Sequence, residues 1–397
     1  MGTVVTLVIF SLVVGLVIGL GLPKILGNSA AQTPELMKMR PPAEERAKNP
    51  YKIQTQAIRG YMESMTLHEK ISQMIIATPE SMTGVKPTYN AGDITQAAFE
   101  KYPVGGVVIF APNVVSEQQL IDFTTGIQEY SSIPLFISAD EEGGQVTRLK
   151  KLDIHEIGPM LSYEDQGEEA AYANAVTLAN ALKKYGLNTD FAPVADVLTN
   201  PTNKVIGDRA YSTDFETAAI LVPAAVRGFH DSGVACSVKH FPGHGGTKED
   251  SHNTPAYVHR TLDELVNNEF KPFVAGINAG ADMVMMGHLI VPELDDLPAS
   301  MSTVIVTDVL RGDLGFDGVV ITDSLMMSAV SKEFTVSEIA VTSVDAGVDI
   351  LLAPSDVAAT ISALKAAVKS GDIPESRIDD SVERILRAKI NSGIMTI

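Results

Sequence analysis

The chain has 397 residues, a net charge of −19, and 45% hydrophobic against 20% charged residues, which excludes a disordered or collagen-like protein and leaves two ordinary domains or one large α/β barrel. The acidic balance, with no Lys/Arg stripe interleaved with aromatics, argues against a nucleic-acid partner. Zero Trp and 6% aromatic residues disfavour a broad aromatic-paved polysaccharide groove, and the single cysteine, Cys236, excludes disulfide scaffolds and cysteine-based metal sites.

Residues 3–22, TVVTLVIFSLVVGLVIGLGL, carry no charge and have about the length that crosses a hydrocarbon core as a helix. No Lys or Arg precedes the run, and it exceeds the roughly 7–15 apolar residues of a secretory signal peptide. Residues 1–26 therefore read as an uncleaved membrane anchor, with a signal peptide cleaved near the small residues 28–31 as the alternative. No cysteine follows the run, so a lipoprotein anchor is excluded. Lys24, Lys38 and Arg40 favour a cytoplasmic C-terminal side, in conflict with the extracytoplasmic site expected below. Residues 27–59, with Pro34, Pro41, Pro42 and Pro50, read as a semi-extended tether. Residues 1–50 hold five basic and three acidic side chains, so −19 divides into +2 there and −21 over the remaining 347 residues.

From residue 60 to 397, short β-branched runs alternate with longer amphipathic stretches. Eight strands are predicted, at 73–77, 106–110, 135–139, 189–193, 235–239, 283–287, 319–322 and 350–353. Helices are predicted between or after them at 117–130, 168–185, 215–232, 262–279, 304–314 and 336–346. Eight strand-then-helix units of this size match a single (β/α)8 TIM barrel of class α/β. A doubly wound open sheet would favour a Gly-rich phosphate loop, and neither GxGxxG nor GxxxxGKS/T occurs. Asp140, Asp196, Lys239, His240, His288 and Asp323 follow or end strands, and in a barrel such ends converge on one face.

Four segments carry chemistry. The run 140–148, DEEGGQVTR, and the run 205–212, VIGDRAYS, combine acids with guanidinium groups, a set that suits a polyol: Asp140 can accept from paired hydroxyls while Arg148, Arg209 and Lys239 donate. Each could equally be a surface ion pair. The run 238–252, VKHFPGHGGTKEDSH, is a loop dense in His, Lys and acids. A metal set of His240, His244, His252 and Asp250 lacks an HExxH helix and a second ligand cluster. Asp250 and His252, two residues apart, could instead aim at one point, the carboxylate orienting the imidazole; a solvated loop is the bland alternative. In 318–327, GVVITDSLMM, Asp323 ends an apolar strand, where it can attack an electrophilic carbon at the barrel mouth or cap the following helix.

These blocks, together with FAPVADV at 191–197, resemble glycoside hydrolase family three, and more narrowly its beta-N-acetylglucosaminidase branch, over residues 60–397. The resemblance implies that Asp323 is the nucleophile and His252 the acid/base assisted by Asp250, with Asp140, Arg148, Arg209, Lys239 and His240 binding substrate. It implies retaining removal of a terminal beta-linked N-acetylhexosamine, typically from peptidoglycan fragments, without metal or cofactor. A beta-glucosidase-type or phosphorolytic member and a non-catalytic cell-wall-binding anchor are the alternatives. Many members continue into a second α/β domain, whereas this chain stops at Ile397, so a pocket built by the barrel alone is expected. The remaining expectations are a monomer, contact with the membrane through the N-terminal segment, and an extracytoplasmic catalytic domain, with secretion after cleavage as the alternative.

Overall fold

Short runs of buried apolar residues make the strands. In the computed structural model, which describes residues 52–152, 157–251 and 254–397, they are, in chain order, β1 (Ile75–Ala77), β2 (Gly106–Val108), β3 (Phe136–Ala139), β4 (Thr189–Asp190), β5 (Ala235–Phe241), β6 (Ala256–Tyr257), β7 (Met283–Met286), β8 (Leu289–Val291), β9 (Asp295–Pro298), β10 (Val319–Thr322) and β11 (Leu351–Leu352). Eight of them form one parallel sheet in the order β10-β7-β5-β4-β3-β2-β1-β11. A single bridge from Ile321 to Ile350 joins its two ends, so the sheet nearly closes into a barrel. Every residue of these eight strands is buried, as expected where helices cover the outer face and side chains fill the interior.

All eight predicted strands lie where the alternating pattern puts them, and most are shorter. β1 begins at Ile75 because Gln73 is the last residue of the helix Leu67–Gln73, started by a reciprocal Thr66/Glu69 capping box. The helix predicted at 262–279 divides into Leu262–Asn267 and Phe270–Asn278, and the one predicted at 304–314 is π-helical over Val304–Asp313. A small sheet, β6-β8-β9, was not anticipated; its strands have two to four residues, and β9 is DDLP, too short and polar to show a period. The expected anchor (1–26) and residues 27–51 of the expected tether lie outside the described residues, whereas residues 52–59, also expected in the tether, are part of the helix Lys52–Met62, which packs on the helix Glu375–Asn391. Among the described residues no helix is long and apolar enough to cross a membrane.

The helix Glu375–Asn391 lies across the base, the end at which the strands begin. Buried Asp349, just before β11, accepts from Val320 N (2.9 Å), Ser381 Oγ (2.6 Å) and Arg384 Nη1 (3.3 Å), and pairs with Arg311 and Arg377. Burial alone would raise its pKa, but the three guanidinium groups hold it below the ordinary carboxylate value. The carboxylate thus pins the seam between β10 and β11 where the ladder is thinnest.

Lys389 of the same helix is fully buried. Its Nζ donates to Gln73 Oε1 at 2.7 Å and lies 5.2 Å from the centre of the Phe136 ring, and no ion pair with a carboxylate is formed among the described residues. Burial lowers its pKa to about 7, whereas an unfolded lysine titrates near about 10.4. Between those values the unfolded chain binds the extra proton, so this group makes stability rise with pH across that window and lowers it most at and below about pH 7. In urea unfolding from pH 7 to 10, the stability of Lys389→Met relative to the parent should therefore fall as pH rises, by at most about 1.4 kcal/mol per pH unit. A pH-independent difference would show that Lys389 is charged in the fold.

Candidate active site

At the opposite end, where the strands finish, a cavity of about 790 Å³ is lined by Asp140, Arg148, Arg209, His240, Asp250 and Asp323, with Phe110 and Met326 at one side. Asp140 follows β3, His240 lies in β5 and Asp323 follows β10, so parallel strands alone bring three distant segments together. Lys239 sits directly behind the lining, 1% exposed. His252 lies outside the described residues.

Charge organises this wall. Lys239 Nζ bridges Asp140 Oδ1 (2.9 Å) and Glu142 Oε1 (2.6 Å). Arg209 grips Glu142 with two N–H groups, Nε to Oε2 at 2.7 Å and Nη2 to Oε1 at 2.8 Å, and Arg148 Nη2 donates to Asp140 Oδ2 at 2.9 Å. The result is a chain of alternating sign, Arg148–Asp140–Lys239–Glu142–Arg209. Burial would push both acids up, yet the adjoining cations reverse it: Lys239 and Arg148 hold Asp140 well below the carboxylate range, and Arg209 and Lys239 bring Glu142 to about 2. Burial likewise opposes the charge on Lys239, and Asp140 and Glu142 overcome it. Glu142 was missed by the sequence reading, although it is in the same DEEGG run as Asp140; nothing in the run marks which of its acids turns inward.

Glu141 has a different task. Its carboxylate accepts from the backbone N–H groups of Arg148 (2.7 Å) and Leu149 (3.0 Å) and from the Thr147 hydroxyl, closing residues 141–149 into a loop that delivers Arg148 to the cavity. Gly143 makes the turn possible: its φ is +83°, and a Cβ there would stand 2.6 Å from Gly158 O.

Neighbours in a strand point to opposite faces, yet Lys239 and His240 both serve this cavity. The register of β5 against β7 shifts between Lys239 and Phe241, which breaks the alternation at that point. His240 Nδ1 lies 2.6 Å from Asp196 Oδ2, and Arg209 Nη2, which can only donate, lies 3.4 Å from His240 Nε2. These partners assign the Nδ1–H tautomer. Asp196 Oδ1 also accepts from His244 N at 2.6 Å. His244 Nε2 in turn meets Ser251 Oγ at 2.8 Å, and its Nδ1 meets Thr247 Oγ1 at 2.7 Å. Asp196, noted in the sequence only as polar at a strand end, is therefore the post on which the Gly-rich loop is hung. Gly245 allows that docking, since a Cβ there would fall 1.8 Å from Val197 O. The loop reaches Asp250 and Ser251 from this support.

Asp323 is half-buried at the end of β10. Its N–H donates to Met286 O (2.8 Å), and its Oδ1 accepts from Ser324 N (2.7 Å). The next helix starts at Ser328 with Met327 at the capping position and no side-chain cap, so the helix-capping alternative for Asp323 does not apply. His288 Nε2 holds Ser324 O at 3.1 Å and its Nδ1 meets Ser300 Oγ at 2.8 Å, fixing the turn behind the carboxylate. Burial lowers the pKa of His288, opposed by the Asp323 charge.

Residues 66–388 match the family model for the glycosyl hydrolase family 3 N-terminal domain. The chain belongs to glycosyl hydrolase family 3. It is 40% identical over 255 residues to a beta-hexosaminidase of Stenotrophomonas maltophilia (strain K279a), covering 63% of this chain and 76% of that protein. A beta-hexosaminidase of Xanthomonas oryzae pv. oryzae (strain MAFF 311018) is 36% identical over 271 residues, 66% of this chain and 80% of the relative. A family 3 beta-N-acetylglucosaminidase from Paenibacillus sp. str. FPU-7 superposes with a TM-score of 0.78 at 37% identity, over 84% of this chain and 65% of that one. The beta-N-acetylhexosaminidase of Beutenbergia cavernae DSM 12333 gives 0.74 at 29% identity, over 82% and 99%. The chain is thus a family 3 glycoside hydrolase of the beta-hexosaminidase branch.

Within this family 3 barrel, removing Glu142 leaves the ammonium of Lys239 and the guanidinium of Arg209 buried and under-compensated. Glu142→Ala should destabilise the protein by about 3–5 kcal/mol in denaturant unfolding, the usual penalty for breaking a buried pair from one side. A loss below about 1 kcal/mol would mean that the charge chain tolerates a gap.

Proposed function

We propose that the protein is a retaining exo-beta-N-acetylhexosaminidase that removes terminal non-reducing N-acetylhexosamine by double displacement. The observation that carries this reading is the opening of Asp323 and Asp250 into one cavity with the Asp140, Arg148, Arg209 and His240 side chains. Asp140 accepts from adjacent sugar hydroxyls. Lys239, behind the lining, holds Asp140 in place for that contact, and Arg148, Arg209 and His240 complete the polar set.

Asp323 attacks the anomeric carbon while His252, assisted by Asp250, gives its proton to the leaving oxygen. The glycosyl ester so formed is opened by water, from which His252 takes a proton, and the configuration is retained through two inversions. An imidazole in place of the second carboxyl group spares the site the mutual repulsion of two anions. A second groove, lined by Pro87, Pro112 and Asp356 among others, shares Phe110 and Met326 with the catalytic cavity and offers the leaving group a place to lie. Peptidoglycan fragments are the substrate we favour, processed by a domain of residues 60–397 held outside the cytoplasm through residues 1–26.

With an aryl N-acetylglucosaminide as substrate, Asp323→Ala should lower kcat by about 10⁴-fold or more with an unchanged circular-dichroism spectrum. Near-parental turnover by the folded variant would refute the assignment of the nucleophile. A 2-fluoro sugar with a good leaving group should add its mass to the peptide that contains Asp323.

A further inference from the structure

A second group of reactive side chains lies at the base, at the far end of the strands from the catalytic cavity. His230 is in the last turn of the helix Phe215–Asp231, Cys236 is the second residue of β5, and Asp282 immediately precedes β7. His230 Nε2 stands 2.8 Å from Asp282 Oδ2 and 3.8 Å from Cys236 Sγ, and one ligand atom from each residue lies within 4.8 Å of the other two. Among the described residues this is the one place where three metal-capable side chains converge. We propose that His230, Cys236 and Asp282 form a binding site for a thiophilic divalent cation of the zinc class.

The spacing suits such an ion. Zinc takes sulfur at about 2.3 Å and nitrogen or oxygen at about 2.0–2.2 Å in tetrahedral array, which sets ligand atoms roughly 3.3–3.7 Å apart. The imidazole and carboxylate need to part by about half an ångström to admit the ion. The donor set selects the metal: one thiolate and one imidazole favour zinc or cobalt, whereas calcium and magnesium require oxygen ligands.

The surroundings hold the ligands in place. Asp282 Oδ2 also accepts from Cys236 N (3.0 Å), and its Oδ1 accepts from Ser392 Oγ (3.2 Å), the kind of outer hydrogen bonding that orients a ligating carboxylate. Cys236 is buried, while the His230 side chain is 32% exposed, so the group opens to solvent on one side. That opening supplies an entry path for the ion. On binding, the thiol loses its proton to solvent, and a protonated imidazole does the same. The sequence expectation that a lone cysteine excludes cysteine-based metal sites is thereby narrowed: one cysteine rules out a cysteine cluster and leaves a mixed site of this kind open. The ion would tie a helix, two barrel strands and the segment carrying Ser392 together at the base, which makes its role structural.

The test uses the full chain, purified without an affinity tag and stripped with chelator. Titration with Co²⁺ should produce a thiolate-to-cobalt charge-transfer band and tetrahedral ligand-field bands that saturate at one equivalent, and Zn²⁺ should displace them and raise Tm. Cys236→Ser should abolish the charge-transfer band while retaining glycosidase activity. Should that variant fail to fold, His230→Gln serves, with Co²⁺ affinity expected to drop at least about tenfold. The proposal is overturned if no charge-transfer band forms at saturating Co²⁺, if the band survives in Cys236→Ser, or if His230→Gln binds as tightly as the parent. A cobalt spectrum without thiolate character would place the ion at another site and overturn it equally.

Discussion

The buried ammonium of Lys239 is the constraint around which the mouth of the barrel is built. A lone charge at that depth would be strongly disfavoured, and it is tolerated because Asp140 and Glu142 flank it within hydrogen-bonding distance. Those two acids follow β3, while Lys239 belongs to β5, so the contact reaches across β4 and exists only once three strands are in register. The intervening Asp190 of β4 fits the same logic by another route. Burial, together with the neighbouring Glu141 and Asp140 charges, drives its pKa well above the usual value, and its Oδ1 accepts from Glu141 N at 3.0 Å.

The two ends of the barrel divide the labour. At the base, Asp349 with three arginines and the buried Lys389 hold the last helix against the strand starts. At the mouth, polar groups are arranged around an open cavity, and each is supported from behind: Asp196 behind His240, Glu142 behind Arg209, His288 behind the turn after Asp323. Such support fixes the geometry of these groups before any ligand arrives.

Much of this was legible in the sequence. Apolar runs of buried parallel strands are continuous, so all eight could be located, and a charged residue that ends such a run has no packing reason to be there; hence Asp140, Lys239, His240 and Asp323. What stayed hidden depends on direction and not on residue type. Glu141 and Glu142 are adjacent and chemically alike, yet one closes its own loop and the other pairs with two distant cations. The link from Asp196 through His244 to Ser251 spans residues from two different loops. The small sheet of β6, β8 and β9 is made of strands too short to carry a period. The role of His252 rests on the family resemblance and on its neighbour Asp250.

The packing of the first described helix has a spatial consequence. Lys52–Met62 lies against Glu375–Asn391, with Arg59 Nε bonded to Glu383 Oε2 at 2.7 Å, so the chain enters its barrel from the base. The junction with the preceding residues therefore lies at the opposite end from the cavity, and a ligand approaching the mouth does not pass it.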